Sequence, residues 1–290
     1  LRERDAHATA SETLALQKEV MMKNVFCLQF LAFLLLLGSS SIFGQTVYAP
    51  PVLSADAVRG IDFSKAKPLD EDYRQMYVKC DGTPVCEKDK NNLNALLKFP
   101  DGTIFYESKM SLDLDGSWLS CTDKKGDADQ CRTAYMWDDE YPSDAEYHAA
   151  EDKSVFYKNQ AFVDADKIPY MVIPLDRQFR QLTGARVGDL GMVVYRDKAV
   201  PVFIADIGPG ERGKIGEGSA ALLRAVGAER CASRNAEGNC TEFRDYSVSR
   251  GVMFFIFPRS AIAGLKKETA LETVKAEAAK RFEKFKSAFK

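Results

Sequence analysis

Two carboxylates eleven positions apart, Asp206 and Glu217, carry the clearest chemical signal in this 290-residue chain. Asp206 follows the apolar run Pro201-Val202-Phe203-Ile204-Ala205, which predicts that it sits where a buried strand ends. Glu217 stands between Gly216 and Gly218, directly ahead of a helical run from Ser219 to Val226. Gly208, Pro209, Gly210 and Gly213 make the connection tight, and glycine lets backbone approach a ligand closely. A strand end and a helix start joined in this way can hold two acids across a groove. Glycoside hydrolysis uses such a pair: one carboxyl protonates the leaving oxygen, and the other activates water or attacks carbon. The competing explanation is a structural strand-to-helix turn whose acids are solvated or capping, and spacing alone does not separate the two.

The segment Ala205-Asp-Ile-Gly-Pro209 followed by Gly213-Lys-Ile-Gly-Glu-Gly-Ser219 is similar to the signature of the glycoside hydrolase family 75 chitosanases. Further segments resemble that family in the same order. They are Leu97-Lys-Phe99 with Phe105-Tyr106, Lys109-Met110, Asp113-Leu-Asp115-Gly116, Val163-Asp164, Ile168-Pro-Tyr170 and Gly188-Asp-Leu190. Gly251 to Pro258 resembles the family's closing strand, so the likeness covers residues 93–260. The acidic, cysteine-bearing stretch from Cys121 to Asp152 departs from the family pattern and bears on the shape of a substrate groove. The resemblance implies a secreted endo-chitosanase that cleaves β-1,4 bonds between glucosamine units with inversion. It implies Asp206 and Glu217 as the catalytic pair; position after the D-x-G loop favours Glu217 as general acid and Asp206 as general base, while the helix start beside Glu217 favours the reverse order. No cofactor or metal is implied. A wall-active glycosidase or lytic transglycosylase on peptidoglycan is the second enzymatic reading. A non-catalytic polysaccharide-binding β-barrel is the alternative from another class.

Met22-Lys23-Asn24, the apolar stretch Val25–Leu37 and the small residues Gly38–Gly44 read as a secretory signal peptide over residues 22–44. The apolar stretch is shorter than the ~20 residues a spanning helix needs, so no stable membrane association is expected after cleavage. Residues 1–21 are polar and read as an upstream extension. Residues 45–70 read as a surface linker, 71–260 as the catalytic domain and 261–290 as a C-terminal helix. Removing Cys27 with the signal leaves Cys80, Cys86, Cys121, Cys131, Cys231 and Cys240, an even set expected to form disulfides after export. Their spacing favours three local bridges, 80–86, 121–131 and 231–240. No Cys-x-x-Cys is present and His148 is the only histidine beyond the signal, which argues against zinc and against a Ser-His-Asp triad. The formal net charge of −2 and the lack of a basic stripe exclude nucleic acid as a natural partner. Acidic residues gather between Asp113 and Asp166, a distribution that would concentrate a polycation.

The elements that must position the acids are short. Tyr170–Ile173, Leu190–Tyr195, Val200–Ala205 and Val252–Phe257 are rich in Val, Ile, Phe and Tyr and read as strands, with a hairpin at Arg196-Asp197-Lys198. Thr103–Ser108 and Met110–Leu114 alternate as strands do, and Asp101-Gly102 marks a turn. Ser219 predicts an N-cap and Gly227 a C′ residue for one short helix. Leu265, Ala270, Leu271, Val274, Ala278, Phe282 and Phe285 recur at helical spacing, which predicts an amphipathic C-terminal helix dispensable for catalysis. The fold expected is mainly β: a compact β-barrel, double-psi-barrel-like by analogy, with one short helix after the catalytic loop.

Asp113 and Asp115 could form a turn that faces the groove and pairs with a glucosamine ammonium. Asp-x-Asp-Gly also suggests calcium, but Ser117-Trp118 does not continue a calcium-loop pattern. Trp118 and Tyr170 are candidate sugar platforms, with core packing as the alternative. Asp164 could line the same cleft or shape a turn ahead of Pro169.

Overall fold

Strands rich in Val, Ile, Phe and Met pair edge to edge and close on themselves. The computed structural model describes residues 55–69, 96–122, 131–137, 141–208, 215–244 and 247–290, all within one unit, Val47–Lys290. Six strands form the closed barrel. In order round the wall they are β3 (Ile104–Asp113), β10 (Ser247–Phe257), β5 (Leu190–Tyr195), β6 (Lys198–Ile207), β4 (Tyr170–Ile173) and β7 (Glu217–Ser219), and β7 pairs back onto β3. Most neighbours are antiparallel, but β4–β6 and β3–β7 run parallel. Two short strands, β1 (Lys67–Pro68) and β2 (Leu97–Lys98), extend the sheet beyond β3. A separate hairpin of β8 (Cys231–Arg234) and β9 (Cys240–Phe243) is stapled by Cys231–Cys240. The mainly β barrel expected from the sequence is therefore present.

Alternation along each strand sends residues to two separate cores. Ile104, Tyr106, Met171, Val202, Ile204 and Phe254 belong to the cluster that fills the lumen, as side chains do in small barrels. Phe105, Val172, Phe203 and Phe255 belong to an outer cluster with the C-terminal helix, α6 (Ala270–Ala288). Phe282 and Phe285 of α6 pack against Phe255 with ring centroids 5.1 and 5.5 Å apart. The predicted apolar stripe is thus buried against the wall, and α6 belongs to the same unit as the barrel. Removing it would uncover Phe255. The helix is part of the fold.

The segment expected as a surface linker differs where it is described. Ala57 and Ile61 are buried in the outer cluster, and the Asp62 amide donates to Phe289 O at 2.6 Å. Low periodicity hid this because the segment uses two 3-10 turns, Ala55–Val58 and Phe63–Lys65, and single apolar anchors rather than a repeating stripe. Two of the three predicted bridges, Cys121–Cys131 and Cys231–Cys240, are formed. Cys80, Cys86 and the signal-peptide region lie outside the described residues. Among the described residues, no helix is long and apolar enough to cross a membrane.

Candidate active site

The end of β6 positions Asp206 through a bulge. Met171 of β4 pairs with Ile204, but the next residue, Val172, pairs with Asp206, so Ala205 is the extra residue. Strict alternation would carry Asp206 to the lumen side with Ile204. The bulge keeps it on the side of Val172 and Ala205, in the way bulges re-aim side chains beside active sites. Val172 also pairs with Glu217 of β7 on its other edge. Asp206 and Glu217 therefore flank one residue in register and lie on the same face. Two strand spacings of about 4.8 Å set their backbones roughly 9.5 Å apart.

Glu217 is fixed from both sides. Ser111 of β3 pairs with it, and the Ser111 amide donates to Gly216 O at 2.9 Å. Gly216 has φ +80°, and a Cβ there would lie 2.0 Å from Lys109 O, so only glycine fits. Two residues on, Ser219 caps α5 (Ala220–Ala225), its Oγ accepting the Leu222 amide at 3.1 Å. The same hydroxyl accepts the Tyr170 amide at 3.1 Å and donates to Ile168 O at 2.8 Å, which ties β7 to the start of β4. The predicted N-cap is confirmed, and Gly227 adopts φ +87° just beyond the helix.

Asp113 ends β3, and the turn after it brings Asp115 back toward β6. Asp113 Oδ1 accepts the Asp115 amide at 2.8 Å, and the Tyr170 phenol donates to Asp115 O at 3.0 Å. Gly116 has φ +75°, and a Cβ there would meet Val163 O at 2.2 Å, so the turn lies directly on the neighbouring chain. Oxygens of Asp113, Asp115 and Asp206 all lie within 4.8 Å of one another. Asp206 Oδ1 accepts the Ala134 amide at 2.6 Å.

Burial raises the pKa of all three carboxyls, and the charge of Asp206 raises Asp113 and Asp115 further. Asp115 is pushed up to about 11 by burial first and by the charges of Asp113 and Asp206 next. On Asp206 burial is opposed by the Ala134 amide, whose hydrogen bond favours the charged form. Such a trio has the spacing of a divalent-cation site. Calcium takes six to eight oxygens, so three carboxyls would be only part of its shell.

Other predicted residues have different surroundings. Tyr170 is fully buried, so its ring offers no open platform, and its phenol instead braces the Asp113–Asp115 turn. Trp118 opens α1 (Trp118–Thr122) next to that turn and is half-buried. Asp164 joins another network, accepting from the Tyr157 phenol at 3.0 Å and pairing with Lys167 at 3.1 Å. Its neighbour Asp166 is buried and holds Arg224 and Arg234 at 2.9 and 2.6 Å. Sequence reasoning missed the segment Cys131–Trp137. Its Ala134 amide holds Asp206, its Tyr135 amide donates to Ala205 O at 2.8 Å, and Cys121–Cys131 ties it to α1.

A cavity of about 460 Å³ lies at the other end of the barrel, where β3 begins, β10 ends and α6 passes. Lys98, Arg259, Arg281 and Lys284 line it with Asp101 as the one acid, a charge balance unsuited to a polycation. No protein-family model matches this chain, and neither does any curated protein.

Proposed function

We propose that the protein is a secreted glycoside hydrolase acting on chitosan, with Asp206 and Glu217 as its catalytic pair. The observation that carries this reading is the register: both acids pair with Val172 from opposite edges, on one face, with backbones two strand spacings apart. Inverting glycosidases separate their carboxyl groups by about 6.5–9.5 Å so that a water fits between acid and sugar. The resemblance to the family 75 chitosanases over residues 93–260 supports the substrate class. The buried acids Asp113 and Asp206 beside Glu217 also suit a substrate that carries an ammonium on each sugar.

In this mechanism Asp206 takes a proton from the water as the water oxygen bonds to the anomeric carbon. Glu217 gives its proton to the glycosidic oxygen as that carbon–oxygen bond breaks. Asp206 ends protonated and Glu217 ionised, and exchange with solvent restores both. The amide of Ala134 stabilises the carboxylate of Asp206, which fits a base that must start ionised. The two disulfides accord with export.

The test is to incubate purified protein with chitosan, chitin and peptidoglycan and to size the products. Short glucosamine oligomers from chitosan are expected. Muropeptide release with untouched chitosan would instead support the wall-active reading. Binding of polymer without any shortening would support the non-catalytic one.

A further inference from the structure

The cavity at the end of the barrel away from Asp206 is built from two kinds of side chain. Phe257, the last residue of β10, and Phe285 of α6 line it with almost fully buried rings. Phe285 sits edge-on to Phe99 with ring centroids 4.7 Å apart, so the outer core fixes that part of the wall. Lys98, Arg259, Arg281 and Lys284 stand around the cavity and are exposed. They come from three separate places: β2, the turn after β10, and one face of α6, where Arg281 and Lys284 are three residues apart. Among the described residues, none of the four cations forms an ion pair or a side-chain hydrogen bond. The one acid, Asp101, is already engaged: its Oδ1 accepts the Thr103 amide and its Oδ2 the Thr103 hydroxyl, each at 2.9 Å. Four like charges around one concavity repel one another and leave a field that favours an anion. Helix electrostatics alone do not explain the cluster. Cations are favoured in the last turn of a helix, yet Lys98 and Arg259 stand on other elements. Arg259 also has φ +62°, a left-handed backbone that is unfavourable for a residue with a Cβ and that gathers at ligand sites.

We propose that this cavity binds a multivalent oxyanion, a molecule that carries two or more phosphate or carboxylate groups. Its volume of about 460 Å³ falls in the range of small-molecule sites and exceeds what one oxyanion fills. Arg259 and Arg281 present planar forks that match such groups two oxygens at a time, and the two lysines add point charges. The site is separate from the acids: Asp113 closes the far end of the ten-residue strand β3, about 30 Å along the strand from Ile104. Its ligand is opposite in charge to chitosan, and the proposal does not depend on what Asp206 and Glu217 do.

Titration calorimetry of the purified protein with tripolyphosphate and with trigalacturonate tests this and separates a phosphate ligand from a carboxylate one. One saturable site with a Kd below about 1 mM is expected for at least one of the two, weakening as salt is raised. Arg259→Gly keeps the left-handed backbone and removes the charge. It should weaken binding about fivefold, the size of one exposed ion pair, without lowering the denaturation midpoint. Arg281→Gln combined with Lys284→Gln should weaken binding about 20-fold. Lys275→Gln removes a charge from the same helix, where Lys275 pairs with Glu272, and should bind as wild type does. Asp206→Asn should also bind as wild type does. No saturable binding of either anion at about 1 mM would overturn the proposal. So would unchanged affinity in Arg259→Gly and in the double variant. A loss in Lys275→Gln as large as that in Arg259→Gly would also overturn it, because net charge and not the cavity would then draw the anion.

Discussion

Gly216→Ala perturbs the placement of Glu217 without touching its chemistry. Gly216 has φ +80°, a region that costs an L-residue about 1–2 kcal/mol. The added Cβ would lie 2.0 Å from Lys109 O and 2.1 Å from Ser108 Oγ. The serine hydroxyl can rotate away, but Lys109 O belongs to the backbone of β3. Ordinary contact needs at least 3.0 Å, so the loop must retreat by about 1 Å, and the Ser111–Gly216 hydrogen bond of 2.9 Å must stretch with it. Glu217 is the next residue, and a 1 Å misplacement costs about 100-fold in a positioned reaction. Activity on chitosan is therefore expected to fall about 100-fold, with stability reduced by about 2–4 kcal/mol as strain and clash add. Initial rates of reducing-end release and urea denaturation measure the two effects. Wild-type rates with unchanged stability would refute the claim that Gly216 sets the position of Glu217.

Phe282→Ala should cost about 3–5 kcal/mol by urea denaturation, since its fully buried ring packs against Phe255 and Phe285; a loss below 1 kcal/mol would mean that α6 is not integral to the outer core. Replacing Cys121 and Cys131 by serine should cost less than about 3 kcal/mol, because the closed loop is short. It should lower kcat more than it raises KM, because the bridge anchors the segment whose Ala134 amide holds Asp206; unchanged kcat would disconnect that segment from catalysis. In the folded chain Asp115 retains its proton up to about 11, against 3.8 when unfolded. The folded state thus binds more protons than the unfolded one, and stability falls as pH rises above about 4. Asp115→Asn should flatten that fall in denaturation midpoints measured between about pH 5 and pH 9; an equal or steeper slope would contradict the effect of burial on Asp115.

What was legible in the sequence follows the range of each signal. Asp206 and Glu217 could be read because a strand end and a glycine-flanked helix start are local patterns. Ser219 and the α6 stripe were legible for the same reason. Helix α4 (Arg177–Thr183) also carries local signals, with Asp176 as its N-cap and Gly184 at φ +74° as its C-cap. The place of Asp115 was not legible, since its carboxyl comes within 4.8 Å of one ninety-one positions away. Ala134 contributes only a backbone amide, which no residue type announces. The bulge at Ala205 is equally silent, because an apolar run fits a strand with or without an extra residue. Asp164 was drawn toward the site by its proximity to Tyr170 in sequence, whereas Tyr157 and Lys167 take it into a second network.

The central claim is that Asp206 and Glu217 cleave chitosan across a space that admits water. Proton NMR of the first product formed by wild type, alongside Asp206→Asn and Glu217→Gln, tests it most directly. The new reducing end should appear as the α anomer before it mutarotates, and each variant should fold as wild type does while losing turnover at least 100-fold. A first product in the β configuration, or a folded Glu217→Gln with wild-type turnover, would contradict the account.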